Sequence, residues 1–265
     1  MTSSTGLTLG LDGIAALHAE SLPQKDHLCG CFWAELVLRA AGVEDVDQDR
    51  VAEEAGTILP AEGSGPSVPP GEEPRRDYRL ELATGHADVA GTAAPALADA
   101  VERLGEGRLA VVPVAGPWSE AAVVRLQEEA AAVEPGTTLV ANIRSGHLWG
   151  ARTHPSALLA HLAGQEAGAS PPDWDVGHFV NLAALVRGPA GALVVVRDSY
   201  RSLGRDGYHA QPAFALARAL ERGDGREGGV LCVVPSATAP ELRARLEEAG
   251  YDLRQWDNGT PARRE

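Results

Sequence analysis

Three residue types that together make a nucleophilic site occur in this chain in a suggestive order. Cys29 opens the stretch CGCFWAELVLRAA (29–41), in which Phe32, Trp33, Leu36, Val37 and Ala40 recur at helical spacing and Gly42 supplies a stop. His178 stands directly before the apolar run 179–186, and Asp198 directly after the run 192–197. A thiol at neutral pH is mostly protonated, whereas attack on an amide or thioester needs the thiolate. The unpaired N–H groups at a helix start and a neighbouring imidazole both favour that thiolate, and a carboxylate fixes the imidazole's tautomer. Gln24, five positions before Cys29, is placed where a side-chain amide could donate to a developing oxyanion beside the Cys29 backbone N–H.

The elements that must position these groups follow from the same patterns. Gly188-Pro189-Ala190-Gly191 is a turn signal between two β-like runs, so 179–186 and 192–197 are expected to pair as an antiparallel hairpin. Such a hairpin sets His178 and Asp198 across from one another at its open end, although twenty positions separate them. Should Asp198 fail as orienting group, Asn181 and Asp175 are the next candidates. Further β-like runs lie at 109–114, 138–143 and 229–234, and helical patterns at 47–55, 95–104, 118–132, 155–164, 211–222 and 238–249. Residues 59–77 are rich in proline and glycine and lack periodic apolar positions, so they read as a surface loop and lobe boundary.

The remaining candidates have plainer readings. Cys31 lies roughly 200° around the helix from Cys29 at about 100° per residue, so both thiols are not expected to face one cleft. Cys232, inside GVLCVV, reads as core. His147, His154 and His161 recur every seven residues, but Pro155 intervenes and no Cys or carboxylate completes a metal set nearby, so they read as scattered surface histidines. Gly223-Asp224-Gly225 lacks the following Lys-Ser/Thr of a phosphate loop.

The chain has 265 residues, 44% hydrophobic and 23% charged, a globular balance that can supply a sizeable core. Its 37 acidic against 23 basic residues give a formal charge of −14, a field that repels polyanions, so nucleic acid is not an expected partner. Residues 1–10 lack the pattern of a secretory signal, and no 18-residue apolar stretch occurs. A cytoplasmic protein with no membrane partner is expected, and its three cysteines are expected to stay thiols.

The stretch Gln24-Lys25-Asp26-His27-Leu28-Cys29-Gly30, continuing to Leu36-Val37-Leu38 and Gly42, resembles the cysteine motif of the bacteriocin-processing, double-glycine-leader peptidases of the papain superfamily. Gly177-His178-Phe179-Val180-Asn181-Leu182 looks like their histidine motif, and Arg197-Asp198-Ser199-Tyr200 stands where their Asp motif follows. Phytochelatin synthases, a transferase branch of the superfamily, have a similar series, and Cys31-Phe32-Trp33-Ala34 is similar to the Cys-Trp-Ala of papain-type enzymes. Gln24 lies one residue nearer the cysteine than is usual, and Ser199 stands where the leader peptidases often have proline. The resemblance implies an α+β, papain-like fold in one domain of two lobes. A Cys29-bearing helical lobe (1–58) and a loop (59–79) would precede a mixed part (80–265) that carries His178 and Asp198 on an antiparallel sheet. It implies acyl transfer or hydrolysis through a Cys29 thioester on a peptide or small amide, with no cofactor and no metal. The rival expectation is a binding or accessory protein that keeps the fold without turnover.

Overall fold

The apolar runs of this chain show little polar alternation, so strands built from them must be covered on both faces. The computed structural model, which describes residues 6–61, 68–166 and 168–262, bears this out. Its elements in chain order begin with β1 (Gly6–Thr8), α1 (Ile14–Ser21), α2 (Cys29–Ala40), α3 (Gln48–Glu54), β2 (Ile58–Pro60), β3 (Ala83–Gly85) and α4 (Ala94–Leu104). They continue through β4 (Leu109–Ala115), α5 (Glu120–Ala131), β5 (Thr138–Arg144), α6 (Pro155–Leu162), β6 (Gly177–Arg187) and β7 (Ala192–Arg197). The last are β8 (Tyr208–Pro212), α7 (Ala213–Glu221), β9 (Gly229–Pro235) and α8 (Ala239–Glu248).

Seven strands form one sheet in the order β4-β9-β5-β6-β7-β8, with β1 pairing β6 alongside, and all these pairings are antiparallel. The short strands β2 and β3 pair parallel as a separate sheet. Alternate residues of the central strands feed two cores. Val112, Val114, Leu139, Ala141, Val230 and Cys232 pack with α5, α7 and α8. Val111, Val140, Phe179, Leu231 and Val233 pack with Phe32, Trp33, Leu36 and Val37 of α2 and with Leu97 and Val101 of α4. The fold is mixed α and β, with helices on both faces of a mostly antiparallel sheet.

The hairpin expected from Gly188-Pro189-Ala190-Gly191 forms, with β6 and β7 paired from Asn181↔Arg197 to Arg187↔Ala192. A register shift between Leu182 and Ala184 gives β6 an extra residue, a bulge that bends the strand. His178 lies inside β6 and Asp198 just past β7, so both sit beyond the last rung of the pair rather than across one. Of the 59–77 loop, residues 62–67 lie outside the described residues. Its remaining part folds back onto the loop that precedes α2, as shown below.

Candidate active site

Cys29 is the first residue of α2, and its helix begins without a side-chain cap: Leu28 stands at the N-cap. The first-turn N–H groups are therefore not taken up by a capping side chain, and their positive end lies at the thiol. The helix approaches the sheet closely because Gly30 has no side chain. A Cβ there would meet Leu97 Cδ2 at 2.9 Å and Phe179 Cδ2 at 3.2 Å. Trp33 Nε1 donates to the Phe179 carbonyl at 3.1 Å, tying α2 to the residue beside His178.

The three thiols have different surroundings. Cys29 is half-buried, whereas Cys31 and Cys232 are buried. Cys31 sits against the hydroxyls of Thr57 and Thr92 at 3.4 and 3.5 Å, and burial pushes its thiol up to about 11 despite those contacts. Burial in the core pushes Cys232 up further still.

His178 Nε2 lies 3.1 Å from Asp198 Oδ1, both side chains being buried, which leaves Nδ1 as the ring nitrogen not engaged by the carboxylate. Burial by itself pushes this imidazole down. The Asp198 charge and hydrogen bond, with the nearby Cys29 sulfur behind them, outweigh burial and hold the ring up at about 10. For Asp198, burial pushes the carboxyl up, but His178 and His209 together hold it well below the usual carboxylate range. Cys29, His178 and Asp198 thus form one electrostatic cluster, in which the Asp198 carboxylate favours the imidazolium form of His178. Asn181 and Asp175 are engaged elsewhere. Asn181 bonds the Leu139 carbonyl and Arg197, and Asp175 pairs with Arg144.

Gln24 is buried next to this cluster, but its side-chain contacts differ from the sequence expectation. Its amide donates to the Lys25 carbonyl at 3.1 Å, and its Oε1 accepts from the Ser199 hydroxyl. An oxyanion would have to use the second amide hydrogen. Ser199 therefore holds the glutamine's orientation from the residue after Asp198.

Several groups around Asp198 escaped the sequence reading. His18 Nε2 donates to the Asp198 carbonyl at 2.6 Å while its ring stacks on Trp33 at 5.5 Å. Burial chiefly, with the Arg197 charge, pushes His18 down to about 4 against that hydrogen bond. The Tyr200 N–H donates to Asp198 Oδ1 at 3.3 Å, and its ring lies nearly parallel to that of His178 with centroids 6.1 Å apart. Trp174 meets both rings edge-on, at 5.3 and 5.6 Å. His209 Nε2 stands 3.8 Å from Asp198 Oδ2. Isolated histidines and aromatics carry no spacing signal, so only the fold gathers them.

The described end of the proline-rich segment straps the loop before α2. Asp26 and Arg75 exchange backbone and side-chain bonds at 2.8 and 3.2 Å, Arg76 reaches Asp26 Oδ2 at 3.1 Å, and Tyr78 donates to the Asp26 carbonyl at 2.9 Å. Lys25 pairs with Asp49 at 2.6 Å and bonds the Asp77 carbonyl. Glu72 accepts from the Ser202 N–H, close to Tyr200. A cavity of about 20 Å3 adjoins Asp198 and His209, whereas larger hollows of about 620 and 290 Å3 lie by Glu120 and Arg187 and by Thr57 and Leu82, away from the thiol. His147, His154 and His161 do separate local work. They bond the Arg222 carbonyl, cap α6 and bond the Ala192 carbonyl. No helix among the described residues is long and apolar enough to cross a membrane.

Fold and site together define a mixed α and β protein in which a helix-start cysteine, a strand histidine and a post-strand aspartate converge. By sequence the chain belongs to a family of unknown function, DUF6885, whose model matches residues 8–257. No curated protein matches it.

Proposed function

We propose that this protein is a papain-like thiol enzyme that transfers or hydrolyses an acyl group of a peptide or related small amide. The observation that carries the reading is the hydrogen bond of His178 to Asp198 at 3.1 Å beside a half-buried Cys29 at a helix start. In the first half-reaction the Cys29 thiolate attacks the carbonyl carbon, and the oxygen takes the negative charge. The Cys29 N–H and the free amide hydrogen of Gln24 are the donors for that oxygen. The C–N bond then breaks as His178 gives its proton to the departing amine, leaving a thioester. In the second half-reaction His178 takes a proton from water or an acceptor amine, which attacks the thioester and releases the thiolate. Asp198 keeps the ring oriented throughout and balances the imidazolium.

The test is covalent trapping. Incubation with an N-acyl amino acid p-nitrophenyl ester should leave a hydroxylamine-labile acyl group on Cys29, read by peptide mass spectrometry, and none in Cys29→Ala. Absence of the adduct on the wild-type protein sinks the reading. A second reading, a binding protein that keeps the cluster without turnover, is favoured by the strap from Glu72 to Tyr78 and the small cavity at the site. It expects the acyl adduct to form and persist, with no second half-reaction.

A further inference from the structure

His209 is a buried imidazole on β8 that the scheme above leaves idle, and Gln211 stands two residues along the same strand, also buried. The Gln211 amide is oriented by one backbone unit. Its Oε1 accepts from the Trp149 N–H at 2.8 Å, and its Nε2 donates to the Trp149 carbonyl at 2.8 Å. Turning the amide over would set N–H against N–H and oxygen against oxygen, so its orientation is fixed. The same Nε2 lies 2.9 Å from His209 Nδ1 and has only hydrogens to offer. Nδ1 must therefore be the acceptor, and the proton of the neutral ring must be on Nε2.

That Nε2 is buried with no hydrogen-bond partner in direct reach, and its nearest carboxylate atom is Asp198 Oδ2 at 3.8 Å. Both residues line a cavity of about 20 Å3, together with Trp149, Trp174, Leu203 and the exposed Asp173. Such a volume admits one water and nothing larger. Asp173 already accepts from the Ala151 N–H at 2.7 Å, whereas Asp198 Oδ2 faces His209.

We propose that His209 is a positioning residue, whose tautomer Gln211 sets so that its Nε2–H always points at Asp198 Oδ2 and keeps Oδ1 turned to His178. The inference rests on the reading of Asp198 as the orienting carboxylate of a thiol site. Without a donor on Oδ2 only the Tyr200 N–H and His178 itself would hold the carboxylate, both on Oδ1, and the bond that orients the His178 ring would loosen. His178 is not itself placed by β7 or β8. The orientation of the cluster thus depends on an imidazole that touches neither substrate nor thiol.

Two measurements test it. Long-range 1H–15N spectra of the histidine-labelled full chain at pH 7.5 should show His209 as the Nε2–H tautomer, and an Nδ1–H ring or an imidazolium overturns the proposal. Iodoacetamide labelling of Cys29 at pH 6 should fall about tenfold in His209→Phe but stay within about twofold of wild type in His209→Gln, whose amide donates from nearly the same place. Equal rates in wild type and both variants, or equal loss in both variants with unchanged melting temperatures, overturn it. A wild-type Cys29 that labels no faster than free cysteine overturns the thiol reading instead, and the His209 tautomer in the same sample still decides the tie to Asp198.

Discussion

Replacing Asp198 by asparagine removes one charge from the cluster and leaves the side chain's size nearly unchanged. The imidazole of His178 is raised from 6.5 to about 10 against a burial that pulls it down, so the raising contributions, led by the Asp198 charge and hydrogen bond, add up to more than the net shift. The imidazolium of His178 is thus favoured by its carboxylate partner at neutral pH. In Asp198→Asn the buried ring falls below its ordinary value and is neutral at pH 7. The thiol then loses the neighbouring positive charge that favours its reactive form. Iodoacetamide labelling of Cys29 at pH 6, followed by peptide mass spectrometry, should therefore drop on the order of a hundredfold relative to wild type. A variant that labels within threefold of wild type at pH 6, with an unchanged melting temperature, would refute the electrostatic coupling of Cys29, His178 and Asp198.

Cys29→Ala should abolish acyl-adduct formation with little change in melting temperature, whereas Cys31→Ala should keep the adduct and cost about 1–2 kcal/mol by chemical denaturation, because its sulfur is buried against Thr57 and Thr92. Trp33→Ala, which deletes a buried ring and its bond to the Phe179 carbonyl, should cost about 3–5 kcal/mol. His18 is lowered from 6.5 to about 4, so the unfolded chain takes up a proton there before the folded one does. Stability should fall as pH drops from 6.5 towards 4, by about 2–3 kcal/mol, and urea titrations of His18→Gln should show a flatter slope in that window. His178 adds no slope there, since its raised value gives stabilisation that is complete below 6.5 and lost only as pH rises through about 10. Ser199→Ala should slow acyl-adduct formation about tenfold without altering Cys29 labelling, because it releases Gln24 and leaves the His178–Asp198 bond alone.

The strands β4, β5, β6, β7 and β9 and the helices α2 and α4–α8 were legible because each is a run with one dominant apolar pattern, and α3 because Asp47 caps it and Gly56 follows its end. The strand β8, Tyr-His-Ala-Gln-Pro, carries no such pattern. It is a strand because it completes the edge beside β7, and its Gln211 bonds the Trp149 backbone. The short strands β1, β2 and β3 are likewise set by tertiary pairing rather than by propensity. At the site, Cys29, His178 and Asp198 could be picked out because each marks the end of a periodic segment. His18 and His209 could not, since a lone imidazole in an unpatterned stretch looks the same whether it faces water or a buried carboxylate. Gln24 was legible in place but not in contact: the hydroxyl of Ser199, 175 positions away, takes its carbonyl.

The bond from His18 to the Asp198 carbonyl joins positions 180 residues apart in the chain. Closing loops of that length is slow compared with forming α2 itself, which needs only local contacts. During synthesis the cysteine therefore emerges on an early helix and waits, as an unremarkable thiol, until most of the chain has followed and β6 through β8 have closed over it. Under the function proposed above, nucleophilic reactivity would be a late event of folding, and a nascent or partly unfolded chain would carry no activated thiol to attack its neighbours' carbonyls.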